Sequence, residues 1–144
     1  MPAGSVDVIS VLLGSSEYPR HDSSLSKQAF ANSYKLFESY LTSEEGMSLK
    51  GGDFVSLFGS TKSGFEQDQE ITRFIRDDKT KRAVIIYYVG HGGFLYNNDY
   101  FLALHGTERG KEYLTGYRMG DLAETLRGVA LERNVILGGC PGRC

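Results

Sequence analysis

The segment Ala83–Gly93, A-V-I-I-Y-Y-V-G-H-G-G, constrains this 144-residue chain more than any other. It is a near-continuous apolar run that stops abruptly at Gly90-His91-Gly92. Such a run reads as a buried core strand, bounded by glycines that break its pattern. A second run, Asn134–Leu137, leads through Gly138-Gly139 to Cys140. The spacing therefore predicts an imidazole and a thiol, each just past the end of a core strand. That pairing is the raw material of nucleophilic thiol chemistry.

The remaining segments supply a frame for those two strands. Val6–Leu13 reads as an opening strand closed by Gly14, followed by a polar loop with Tyr18, Pro19, Arg20 and His21. Phe30, Tyr34, Phe37 and Leu41 fall at helical spacing and predict a helix over 25–41, with Ser23 and Ser24 as caps. A strand is expected at Asp53–Phe58. A second helix, capped by Ser63, is expected over Gly64–Arg76 with Phe65, Ile71, Phe74 and Ile75 on its buried face. Asn97-Asn98-Asp99 is a turn signal before a short strand Tyr100–Leu104, which suggests a hairpin. Met119, Leu122, Ala123 and Leu126 predict a third helix over 118–127.

The order β-α-β-α-β, hairpin, α-β implies an α/β domain spanning residues 1–144. Three layers are expected, α/β/α, with a mostly parallel sheet between the helices. Sites in such sheets gather at the strands' carboxyl ends. Neighbouring strands ending near Gly90 and Leu137 would bring His91 and Cys140 to one rim, and the loop carrying Arg20 reaches the same edge.

Charge and composition remove several function classes. The net charge of −2 gives no electrostatic footprint for nucleic acid or an anionic membrane surface. No apolar run approaches the ~18 residues of a membrane span. Val6–Leu13 is short, follows no basic residue and contains Asp7, so it does not read as a signal peptide. Two cysteines, Cys140 and Cys144, are too few for a disulfide framework, and a reducing cytoplasm is the expected compartment. Neither cofactor nor metal is expected. Cys140 and Cys144 with His91 and His105 match no standard zinc spacing. G-S-T-K-S-G at 59–64 lacks the glycine that a phosphate loop places before Lys62, and reads as a turn into a helix.

Y-Y-V-G-H-G-G at 87–93 and N-V-I-L-G-G-C-P-G at 134–142 together resemble the caspase-like cysteine peptidases, the superfamily of caspases and metacaspases. In that family one strand ends in a similar aromatic-rich segment with the catalytic His-Gly. Another ends in Asp-x-Cys or Gln-x-Cys and presents the nucleophile. Y-F-L-A-L at 100–104, and the opening strand with its polar loop and long helix, are similar too. The wording of 87–93 is closer to prokaryotic or metacaspase-type members than to animal caspases. The resemblance covers nearly the whole chain as the family's large-subunit half.

The resemblance implies a caspase-hemoglobinase fold that is C-terminally incomplete, lacking the small-subunit portion. It implies a cysteine endopeptidase that hydrolyses peptide bonds through a Cys-His dyad and a thioester acyl-enzyme. His91 would be the base and Cys140 the nucleophile, with the backbone N–H groups of Gly92 and Cys140 as oxyanion donors. Gly138 stands where the family places the Asp or Gln that shapes the specificity pocket, and Arg20 lies in the loop from which a caspase-like pocket draws an arginine. Pro141-Gly142 is one residue short of the family's pattern after the nucleophile. The expected partners are a peptide or protein substrate, and the small-subunit segment or another caspase-like chain. The alternative from the same residues is a catalytically impaired caspase-like scaffold or regulatory module.

Overall fold

A computed structural model of the chain describes residues 7–143, and the side-chain surroundings of 7–139. Val6 and Cys144 lie outside the described residues, as does the side chain of Cys140. The elements in order are β1 (Val8–Gly14), α1 (Gln28–Thr42), β2 (Phe54–Ser56), α2 (Gly64–Asp77), β3 (Ala83–Phe94), β4 (Tyr100–Leu102), α3 (Glu112–Thr115), β5 (Tyr117–Arg118), α4 (Met119–Val129) and β6 (Val135–Arg143). Short 3-10 turns at Ser23–Leu25 and Gly51–Asp53 precede α1 and β2.

The sheet is mixed and has six strands. β2, β1, β3, β4 and β5 follow one another in that order, and β6 also pairs with β3. β1 runs parallel to β2 and to β3, and β6 runs parallel to β3; β4 and β5 complete the path with antiparallel pairings. The 12-residue β3 is long enough to serve three neighbours. Its first part meets β1, its far end turns back on β4, and β6 lies along 84–92.

Alternation along the strands sends side chains to two different cores. Ile9, Val11 and Leu13 of β1, with Val84, Ile86 and Tyr88 of β3, pack against Ile71 and Ile75 of α2 and Leu122 and Leu126 of α4. Leu12 and Tyr87 point the other way and meet Tyr34, Phe37 and Leu41 of α1. Helices therefore cover both faces, which is why β3 is apolar at nearly every position. Each fully buried aliphatic side chain in these clusters contributes about 1.5–3 kcal/mol relative to exposure.

Arg133 closes the base of this arrangement. Its guanidinium is 5% exposed, pairs with Asp78 at 2.8 Å, and donates to the carbonyls of Ile75 and Asp78 at 2.9 and 2.8 Å. Arg82 bridges Asp78 and Asp53 at 3.2 and 2.8 Å. The end of α2, the start of β3 and the approach to β6 are tied at one point by charge-assisted hydrogen bonds.

Several expectations need correction. Both chemistry-bearing residues lie inside strands rather than past their ends: β3 continues through His91 to Phe94, and β6 continues through Cys140 to Arg143. The reason is pairing. Glycines that interrupt the hydrophobic pattern still have backbone groups to satisfy, and β4 and β6 satisfy them. Ser23 and Ser24 do not cap α1. They belong to a 3-10 turn capped by the Asp22 side chain, and Lys27 precedes α1 with no side-chain cap. Phe65 is 72% exposed, and the buried face of α2 is Gln67, Ile71 and Ile75. Phe65 sits in the first turn, where Ser63 and Glu66 form the capping box, ahead of the turns that reach the sheet.

Candidate functional site

The site is best built from His91 outward. Its backbone is held on both sides: its N–H donates to the Tyr18 hydroxyl at 2.8 Å, and its carbonyl accepts from Ala103 N–H at 2.8 Å. The Tyr88 hydroxyl also donates toward the carbonyls of His91 and Ala103. Tyr18 in turn donates to the Ser15 carbonyl at 3.0 Å, so the loop after β1 is locked onto β3. Gly90 makes this possible. Its φ of 153° lies in the region that favours glycine, and a Cβ there would meet the hydroxyls of both Tyr18 and Tyr88.

The imidazole is 5% exposed and stands between two aromatic rings. Tyr18 and Phe30 meet it edge-on, with centroids 5.2 and 5.0 Å away. Nε2 lies 2.7 Å from the Leu25 carbonyl. A carbonyl only accepts, so Nε2 carries the hydrogen. In the neutral ring, Nδ1 is then the nitrogen that can take a proton. The Leu25 carbonyl is a site component that no side-chain pattern could reveal, because any residue at 25 supplies it. The only available hint was the polar stretch before α1.

Cys140 enters through backbone register. Val89 is its partner across the parallel β3–β6 pair, and His91 is opposite Gly142. With strands about 4.8 Å apart and about 3.3 Å of rise per residue, the Cα atoms of His91 and Cys140 are roughly 8 Å apart. Gly139, with φ of 140°, lets β6 approach Tyr88 closely; a Cβ there would collide with the Tyr88 carbonyl. A positive-φ glycine thus immediately precedes each of the two residues. Gly92 lies in β3 with Leu102 on one side and Arg143 on the other.

Arg20 and Gly138, the two residues singled out for a specificity pocket, border different cavities. Gly138 lines an apolar cavity of about 280 Å³ with Ile86, Tyr88, Met119 and Leu122, on the α2/α4 face of the sheet. The Arg20 side chain is 69% exposed, 3.5 Å from Glu108, and borders a cavity with Lys62 and His105. From its loop, Tyr18 rather than Arg20 reaches His91. The sequence shows Tyr18 only as one residue of that polar loop, with no pattern that sets it apart from its neighbours.

Among the described residues, no three His, Cys, Asp or Glu side chains converge as metal ligands, and no helix is long and apolar enough to cross a membrane. No protein-family model matches the chain, and no curated protein matches it.

Proposed function

We propose that this chain is a caspase-like cysteine endopeptidase in which Cys140 is the nucleophile and His91 the base. The observation that carries the reading is the β3–β6 register, which sets the two residues on adjacent parallel strands. The motif wording around both residues and the helices on either sheet face support the same family and fold.

The chemistry follows from the way the imidazole is held. With Nε2–H on the Leu25 carbonyl, Nδ1 accepts the thiol proton, and the resulting imidazolium stabilises the thiolate. The sulfur attacks a peptide carbonyl carbon, and the carbonyl electrons move to an oxyanion for which the Gly92 and Cys140 amides are the proposed donors. The C–N bond breaks as His91 protonates the departing amine, which leaves a thioester on Cys140. Water, deprotonated by the same imidazole, then releases the acid and regenerates the thiol.

The test is the rate of Cys140 alkylation by a thiol-reactive peptide analogue at pH 7. His91→Ala should slow it at least tenfold while leaving alkylation at pH 10 nearly unchanged, because the thiolate then forms without help. Equal rates at pH 7 would overturn the reading.

The depth of His91 favours one second reading. An imidazole only 5% exposed, hydrogen-bonded to a carbonyl and clasped by two rings, is also a satisfied core side chain. A caspase-like scaffold that binds a family partner without turnover accounts for that burial. It predicts association with an intact caspase-like chain and no peptide cleavage.

A further inference from the structure

The cavity on the His91 face of the sheet is not the one that Gly138 borders. Side chains at alternate positions share a face, so Gly93 follows His91 and is opposite Phe101 across the hairpin. Phe101 packs with Tyr18 and Phe30, the rings that also flank His91. A cavity of about 410 Å³ opens here, bordered by His21, Leu95, Tyr96, Phe101, Glu112 and Tyr113. It begins about 7 Å along β3 from His91, the span of two residues in an extended chain.

Its lining is aromatic and apolar with a single carboxylate. Glu112 receives His21 Nε2 at 2.9 Å through Oε2, and Oε1 has no hydrogen-bond partner among the described residues. His21 Nδ1 is buried and likewise without a partner among them. The wall therefore offers a free carboxylate acceptor at Glu112 Oε1 and, in the neutral ring, a second acceptor at His21 Nδ1. Tyr113 shows how such a wall treats a cation: on the neighbouring cleft, the Arg118 guanidinium stands 4.7 Å from its ring centroid. Tyr96, fully exposed at the hairpin, forms the outer rim.

We propose that this cavity is a peptide subsite for a basic side chain, Lys or Arg, with Glu112 as its counter-charge. The aliphatic stem lies on Leu95, Phe101 and the Tyr113 ring, and the cationic head reaches Glu112. The proposal rests on the peptidase reading only in taking the occupant to be an extended peptide that passes His91.

The experiment is fluorescence anisotropy of dye-labelled tetralysine with the full chain, against the same peptide acetylated on every side chain. Tetralysine should bind at least tenfold more tightly than the acetylated form. Glu112→Gln should weaken it about tenfold and Tyr96→Ala several-fold, while Glu45→Gln, a remote exposed carboxylate, should change nothing. Equal binding of both peptides, or the same loss in E45Q as in E112Q, would overturn the subsite, since general charge attraction then explains the binding. If E112Q melts early because its His21 contact is gone, Tyr96→Ala decides: unchanged binding sinks the proposal. His91→Ala should retain tetralysine binding. Unslowed thiol alkylation in H91A with binding intact would therefore remove the peptidase reading alone.

Discussion

Tyr18 and His91, 73 residues apart in sequence, are joined twice: the histidine backbone N–H donates to the tyrosine hydroxyl at 2.8 Å, and the two rings meet edge-on. Tyr18 is fully buried, so the hydroxyl has no solvent to replace its partners. Tyr18→Phe removes the acceptor for His91 N–H and the donor to the Ser15 carbonyl, and each orphaned group costs about 1–3 kcal/mol. The expected outcome is a lower urea midpoint and slower Cys140 alkylation at pH 7. A midpoint within error of the wild type would show that the loop is not held this way.

Gly90 is the local requirement for that geometry. Gly90→Ala places a methyl group against the Tyr18 and Tyr88 hydroxyls at a φ that L side chains rarely adopt. Strain and overpacking of about 1–3 kcal/mol each should appear as a large loss of unfolding free energy. Gly120→Ala, inside α4 with open space around it, should be neutral or slightly stabilising in the same urea titration.

Arg133→Ala should be the most damaging surface-proximal charge change. It takes from the nearly buried Asp78 carboxylate one of its two arginine partners, and from the Ile75 and Asp78 carbonyls one of the two donors each has. A buried charge left wholly unpaired costs about 3–5 kcal/mol; because Arg82 stays on Asp78, the loss should fall below that, read by thermal or urea unfolding. Arg127→Ala, whose pair with Glu124 is exposed on both sides, should cost at most about 0.5 kcal/mol.

Acid should weaken the same junction. Burial alone would raise the Asp78 carboxyl, but hydrogen bonds from Arg82 N–H, the Thr80 hydroxyl and the Arg82 side chain outweigh it and hold the group below its ordinary value. The Lys50 amide and the Arg82 guanidinium lower Asp53 likewise. Both groups are depressed in the folded state. Their stabilisation is complete above the unfolded carboxylate pKa, about 4, and is lost as pH falls below it through the folded values. Unfolding free energy should therefore fall as pH drops below about 4, and less steeply in Asp53→Asn.

Ile75→Ala and Phe65→Ala test the register of α2. Ile75 is fully buried and its truncation should cost about 2–5 kcal/mol, whereas Phe65 lies on the outer side and should change stability by no more than about 0.5 kcal/mol. Similar losses for both would restore the sequence-based face.

What the linear chain determined is periodic or local. Helical spacing placed α1, α2 and α4, the apolar run placed β3, Asn97–Asp99 placed a hairpin turn, and Ser63 marked the start of α2. Two residues capable of thiol chemistry were also legible, each beside a glycine. The tertiary structure decided everything that depends on who lies next to whom. Strand ends moved past His91 and Cys140 because β4 and β6 supply backbone partners that no hydrophobic pattern encodes. Arg20 and Gly138 fell to separate cavities because the Arg20 loop meets the start of α2 and the loop after β4, whereas Gly138 borders a cavity between the sheet and α4. The anchor for the imidazole is a main-chain carbonyl at Leu25, and the Tyr18 hydroxyl that holds its backbone comes from a loop across the fold. Periodicity follows from local backbone geometry and can be read along a chain; long-range contact is set by packing and pairing between segments, and only the folded molecule contains it.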